Sequence, residues 1–182
     1  MRAILQADID LLWFGGIGTY VCASGESEIQ IGDRANDAVR INGKQLRAKI
    51  VAEGANLGMT QKGRVEYSLC GGCCDTDAID NSAGVNCSDV EVNIKIAFAS
   101  AMRDGRLTYE ERNQLLKAMT PQVEQLVLEN NYRQTLALSL AQLRKLRDTP
   151  FQAHFMSDLE KLKMLDRKIE NLPDTQTLQA CL

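Results

Sequence analysis

"LRAKIVAEGA", Leu46 to Ala55, is an apolar run of strand length that passes through Glu53 straight into glycine, and its reading decides the fold class. "DIDLLWFGG", Asp8 to Gly16, has the same form. Two such runs have the look of buried strands that end at the functional edge of an α/β sheet. The stretch between them, "ESEIQIGDRANDAVRINGKQ" (Glu26 to Gln45), is of mixed polarity. Ala35, Ala38 and Val39 are helically spaced and "NGK" is a turn signal, which fits a helix or an irregular crossover. Downstream, "TQKGRVEYSLCGG" (Thr60 to Gly72) predicts a short helix closed by glycines, and "CCDTDAID" (Cys73 to Asp80) a further short strand.

After Asn81 glycine becomes rare and helical periodicity takes over. "VNIKIAFASAM" (Val92 to Met102) is apolar almost all round, which predicts a buried helix, and "DGR" ends it. Ser88 and Glu91 have capping-box spacing and would open that helix; Thr108 and Glu111 have it for the next. Thr120-Pro121 and Thr149-Pro150 each put a cap residue before proline, the preferred opening of a helix. Phe151, Phe155, Leu159, Leu162 and Ile169 form a stripe whose plain reading is core packing. The expected architecture is α/β, with a partial doubly wound sheet to about residue 90 and a helical part from 91 to 182.

The chain has 182 residues, 45% of them hydrophobic, enough for a real core. A formal net charge of -3 is spread along the chain, with no stripe of Lys and Arg for phosphate backbones, so nucleic acid is not a favoured partner. The start, "MRAILQADIDLLWFGG", reaches Asp8 and Asp10 before any long apolar run and fits neither a signal peptide nor a membrane span. A soluble, cytoplasmic protein is expected. Six cysteines are present; Cys70, Cys73 and Cys74 cluster, whereas Cys22, Cys87 and Cys181 are scattered. Zinc would need more soft ligands than one C-x-x-C, with Cys87 as an addition and His154 far away, so reduced thiols are the expectation and no metal is assigned.

Three stretches carry candidate chemistry. "GGIGTYV" (Gly15 to Val21) follows a strand but lacks the Lys-Ser/Thr of a phosphate loop and the third glycine of a dinucleotide fingerprint. It is either a tight turn or a strand end where backbone meets a flat ligand closely. "AEGANLGMT" (Ala52 to Thr60) sets Glu53 and Asn56 around glycine just past the second strand. An asparagine there forms a turn, or offers donors and an acceptor to a carboxamide or ribose hydroxyl. In "DNSAGVNCSDVEVN" (Asp80 to Asn93), Ser88 caps a helix, and its hydroxyl has capacity left to donate to a bound carboxylate.

Taken together, "DLLWFGGIGTYV", "GDRANDAVRING", "VAEGANLGMTQKGRVEYSL", "TDAIDNSAGVNCSDVEVNIKI" and "ENNYRQTLALS" resemble the C-terminal region of the large NAD-specific glutamate dehydrogenases of bacteria. "EGAN" and "NSAGVNCSDVE" are also similar to motifs of the smaller hexameric enzymes. The resemblance implies a Rossmann-like NAD-binding domain ending near residue 90, and oxidative deamination of L-glutamate to 2-oxoglutarate and ammonia. It implies Asn56 and Asn81 on the nicotinamide side of NAD, Ser88 on the side-chain carboxylate of glutamate, and, by a looser match, Gly15 and Gly16 bordering the nicotinamide. Ser82 and Ala83 depart from the smaller enzymes' Asn-Ala-Gly-Gly-Val, leaving Gly84 to supply flexibility. The family's catalytic lysine and aspartate and its pyrophosphate loop are expected before residue 1. No catalytic residue is therefore assigned; Asp80 as an acid is a weak guess. The chain is expected to be a fragment, inactive alone, of a homo-oligomeric enzyme. The alternative is a non-catalytic interaction module that keeps the fold.

Overall fold

Both runs that end in glycine are strands in the computed structural model, which describes residues 1–180. In chain order the strands are β1 (Leu11–Phe14), β2 (Val21–Cys22), β3 (Ile41–Asn42), β4 (Ile50–Glu53) and β5 (Cys73–Cys74). One parallel sheet has the order β1-β4-β5; β2 and β3 pair in parallel in a second. Leu11 stands opposite Ile50 and Phe14 opposite Glu53, so β1 and β4 leave the sheet at one edge. Beyond it the Gly54 N–H still donates to the Phe14 carbonyl at 2.9 Å. Open α/β sheets hold their ligand-binding loops at this edge.

Two compact units are present, Met1–Gln134 and Thr135–Leu182. The core of the first is built on alternate strand residues. Leu12, Phe14 and Val51 cluster with Leu5, Val21, Ile41, Met59 and Tyr67. The other face of the sheet, with Leu11, Trp13 and Ile50, is about half exposed. The strands are therefore buried on one face only, because the core forms on the side where Tyr67 packs. Helix α1 is Arg2–Leu5, α2 is Glu28–Ile31 and α3 is Gln61–Leu69. A full capping box between Ser27 and Gln30 opens α2, and left-handed Gly32 closes it. The remaining crossover is irregular: a 3-10 turn at Arg34–Asn36, then β3, then another at Gly43–Gln45. The Thr60 hydroxyl caps α3 by accepting from Gly63 N–H at 2.9 Å, and Gly71 (φ 94°) turns the chain after it.

Several expectations need correction. The strand foreseen over Cys73 to Asp80 is only two residues long and gives way to α4 (Asp77–Asp80), where extended Thr76 precedes acidic residues that suit a helix start. The long helix α5 (Ser82–Arg103) begins at Asn81, whose carbonyl accepts from Val85 N–H at 3.1 Å. Ser88 is thus an exposed interior residue and no cap, while Glu91 pairs with Lys95 one turn on. Helix α6 (Tyr109–Arg144) opens with the expected Thr108–Glu111 box but runs through Pro121, where the Thr120 hydroxyl donates back to the Leu116 carbonyl at 3.0 Å. Finally, α5 is not buried: Ser82 is its one buried residue, and Val85, Val92 and Ile96 are exposed.

The second unit continues with a 3-10 turn at Lys145–Asp148, α7 (Thr149–Lys161) and α8 (Thr175–Ala180). Pro150 lies in the first turn of α7 as expected, with Asp148 rather than Thr149 flanking it. The apolar stripe is not core. Phe151 and Phe155 stack on each other in the open, and α7 ends before Leu162 and Ile169, both exposed. The buried residues here are Thr149 and Arg167, and Arg167 donates to Ser157 Oγ at 3.0 Å and is ion-paired with Glu160 at 3.1 Å. No helix among the described residues is long and apolar enough to cross a membrane.

Candidate functional site

The loop Gly54–Met59 leaves β4 at the carboxyl edge, and carboxylates hold it in place. Glu53 is fully buried and ion-paired with Arg64 of α3, itself 5% exposed. Its other oxygen accepts from Gly58 N–H at 2.9 Å, closing the loop on itself. Burial pushes the Glu53 carboxyl up, against the pull of Arg64. From α4, Asp80 accepts from Glu53 N–H at 3.0 Å and Asp77 from Leu57 N–H at 2.8 Å. The latter bond holds Leu57 at φ 65°, a left-handed conformation that disfavours a Cβ-bearing residue by roughly 1–2 kcal/mol. Asp80, raised by burial, is therefore occupied in shaping the loop.

This scaffold brings two of the expected residues into contact. Asn81 Nδ2 donates to Asn56 Oδ1 at 3.0 Å. Among the described residues, Asn56 Nδ2 and Asn81 Oδ1 have no further partner, so the pair offers a free donor beside a free acceptor. Gly84 lies one turn along α5, and a Cβ there would stand 2.8 Å from Asn81 Oδ1. Its role is space for that amide within a regular helix, which corrects the expectation of flexibility. Ser88 follows Gly84 by four residues on the same helical face, exposed and two turns from Asn81. Gly15 and Gly16 follow β1 at the same edge; a Cβ at Gly16 would meet nothing within 4 Å, so open space lies over it.

An opening of about 510 Å³ adjoins this corner, lined by Asn56, Leu57, Asp77, Ala78, Ser82, Val85, Asn86 and Gln134. The chain from Met1 to residue 141 matches the family of bacterial NAD-glutamate dehydrogenases, over their catalytic domain. This chain belongs to that family. Among relatives, it is 52% identical to the NAD-specific glutamate dehydrogenase of Pseudomonas aeruginosa, 49% to that of Halomonas elongata and 47% to that of Mycobacterium tuberculosis. Each comparison covers 98% of this chain, and the chain spans about 11% of each relative's length.

This corner holds several residues that sequence patterns do not single out. Glu53 reads as a ligand candidate but is the buried clamp, and Arg64, Asp77 and Asp80 read as ordinary helix or loop charges. Asn131 and Gln134 of α6 reach the corner from 50 residues away in sequence, with only "ENNYRQ" itself as a signal. The cysteine cluster stays apart: Cys70 and Cys73 are exposed free thiols, and the half-buried Cys74 thiol is pushed up by desolvation. Cys22 and Cys87 are free as well, and Cys181 lies outside the described residues. Among the described residues no three His, Cys, Asp or Glu side chains are grouped to hold a metal ion.

Proposed function

We propose that this chain forms the nicotinamide side of the NAD cleft in a glutamate dehydrogenase. The observation that carries it is the Asn56–Asn81 contact at the carboxyl edge of β4. A free amide donor and a free amide acceptor side by side fit a carboxamide, which presents a carbonyl and an NH2 in the same way. Open space over Gly16, with the Trp13 indole beside Gly15, suits a flat ring lying against backbone. Bound NAD supplies the hydride acceptor for the α-carbon of L-glutamate, with 2-oxoglutarate and ammonia as products. Asn56 and Asn81 orient the ring, and the Ser88 hydroxyl donates to the side-chain carboxylate of glutamate, now from the open face of α5 instead of a helix end. Among the described residues the carboxylates of this corner, Asp77 and Asp80, are taken up by the Leu57 and Glu53 N–H groups, so the chain by itself is not expected to turn over.

On this reading residues 1–90 are the closing part of a Rossmann-like domain and 91–182 a helical extension. The free thiols go with a reducing, cytoplasmic setting. The exposed sheet face of Leu11, Trp13 and Ile50 goes with a homo-oligomer or further chain that covers it. The test is a full-length enzyme in which this sequence replaces the matched stretch of the Pseudomonas aeruginosa relative. Asn56→Ala is expected to raise KM for NAD, and Ser88→Ala to raise KM for glutamate by about tenfold to a hundredfold, the worth of a charge-assisted hydrogen bond. A chimera with no glutamate-dependent NADH formation, or variants with unchanged constants, overturns the reading.

A further inference from the structure

Helix α6 turns one polar face towards the corner where α4 meets α5. Asn131 Nδ2 donates to the Ile79 carbonyl and to Ser82 Oγ, both at 2.8 Å. A carbonyl only accepts, so the Asn131 amide nitrogen must face it, and its two hydrogens serve the two acceptors. Those acceptors flank Asp80 and Asn81: Ile79 lies in the last turn of α4, and Ser82, 6% exposed, is the first residue of α5. Between them Asn81 caps both helices with φ -95° and ψ 7°, and its side chain makes no cap bond to either helix, donating instead to Asn56. Three residues on, at the spacing that keeps one helix face, Gln134 lines the opening beside Asn56, and its buried Oε1 has no partner.

We infer that Asn131 is a positioning residue: by bridging the last turn of α4 to the first residue of α5, it sets the Asn81 amide against Asn56. This rests on the proposed nicotinamide role of Asn56 and Asn81, and adds to it a residue that does not touch the ligand. Removing the Asn131 amide leaves the buried Ser82 hydroxyl without its donor and the Ile79 carbonyl with its backbone bond alone, so nothing from α6 ties α4 to α5 there and Asn81 can turn away from Asn56. Ordering of the Asn81 amide is lost, while Ser88, two turns along α5, keeps its place.

The test uses the full-length chimera described above, with KM and kcat for both substrates and melting temperature measured for each variant. Asn131→Ala is expected to raise KM for NAD about tenfold, the scale of one unmade buried hydrogen bond, with KM for glutamate changed by less than about twofold. Ser82→Ala, which removes one acceptor and leaves the Ile79 bridge, is expected to do the same more weakly. In an Asn81→Ala background, Asn131→Ala should add less than about twofold, since the residue through which it acts is gone. A purely structural bond would lower the melting temperature, leave KM for NAD unchanged, and add in full to Asn81→Ala; either kinetic result overturns the inference. If Asn131→Ala does not fold, Ser82→Ala decides by the same readouts. Failure of the underlying reading looks different: Asn56→Ala and Asn81→Ala would themselves leave KM for NAD untouched.

Discussion

Up to Tyr67 the chain gathers part of its apolar residues into one core, and beyond Ser82 it leaves nearly all of them outside any core. Among the described residues the buried apolar side chains run from Leu5 to Tyr67, with Val127 the one addition. Helices α5, α6 and α7 carry aliphatic and aromatic residues too, yet Val85, Ile96, Leu126, Leu143, Phe151 and Phe155 are all exposed. The difference lies in what each part closes against. Short parallel strands bring distant stretches together and make a core of their own; the long helices leave much of their apolar surface for something else to cover. Since the chain spans about 11% of its relatives' length, a larger protein offers ample surface for that.

The comparison breaks most easily at Arg64. If the first part is a self-sufficient core, removing the partner of a fully buried Glu53 should unfold it. Arg64→Ala is expected to cost about 3–5 kcal/mol, read by urea denaturation with the Trp13 fluorescence as a local probe. The pH dependence has a definite sign. Burial raises the folded-state pKa of Glu53, so the folded form keeps its proton longer than the unfolded chain. The carboxyl's contribution is then most favourable at low pH and declines as pH rises from the ordinary value, about 4, through the raised one. Arg64→Ala removes the one cation that opposes the rise, so the decline should become steeper and reach higher pH. A variant as stable as the parent at neutral pH would show that the buried pair is no clamp.

A smaller effect sharpens the contrast from the helical side. Thr108→Ala removes one arm of the capping box that opens α6, worth about 1 kcal/mol. Because α6 has little core to hold it, that loss should appear as faster hydrogen exchange in residues 109–114 and leave the amides of β1 and β4 protected as before. Loss of protection in the strands as well would mean that the two parts unfold as one.

Much of the strand half is legible because its signals are local. An apolar run into glycine marks β1 and β4, and the glycines that close "TQKGRVEYSLCGG" mark α3. Legibility fails where two local rules compete. Ser88 and Glu91 have ideal capping spacing, but Gly84 costs a helix only about 1 kcal/mol, so α5 extends back to Ser82 and the box is never used. Pro121 reads as a helix start, and α6 carries it in its interior. Burial of α5 is a tertiary property that an all-round apolar pattern does not settle. The site follows the same division: Asn56 and Asn81 stand in motifs, whereas the clamp of Glu53, Arg64, Asp77 and Asp80, and the bridge from Asn131, are long-range contacts without a local pattern.

The smallest expected effect is the sharpest statement of the contrast. Ile96 lies on α5, is 63% exposed, and would count as core in any periodicity argument. Ile96→Ser exchanges two residues of similar helix propensity at a position that makes little contact, so the chain's unfolding free energy should move by less than about 0.5 kcal/mol. The same exchange in the full-length chimera tests whether that face is covered in the larger protein. Burying an isoleucine side chain is worth about 1.5–3 kcal/mol, so a loss of that size there, with none in the isolated chain, would mean that α5 completes its burial against the rest of the enzyme. A loss in the isolated chain would instead put Ile96 in a core of its own and end the distinction between the two parts. No loss in either setting would leave the apolar face of α5 open to solvent in the enzyme, and the exposure seen here would be its working state.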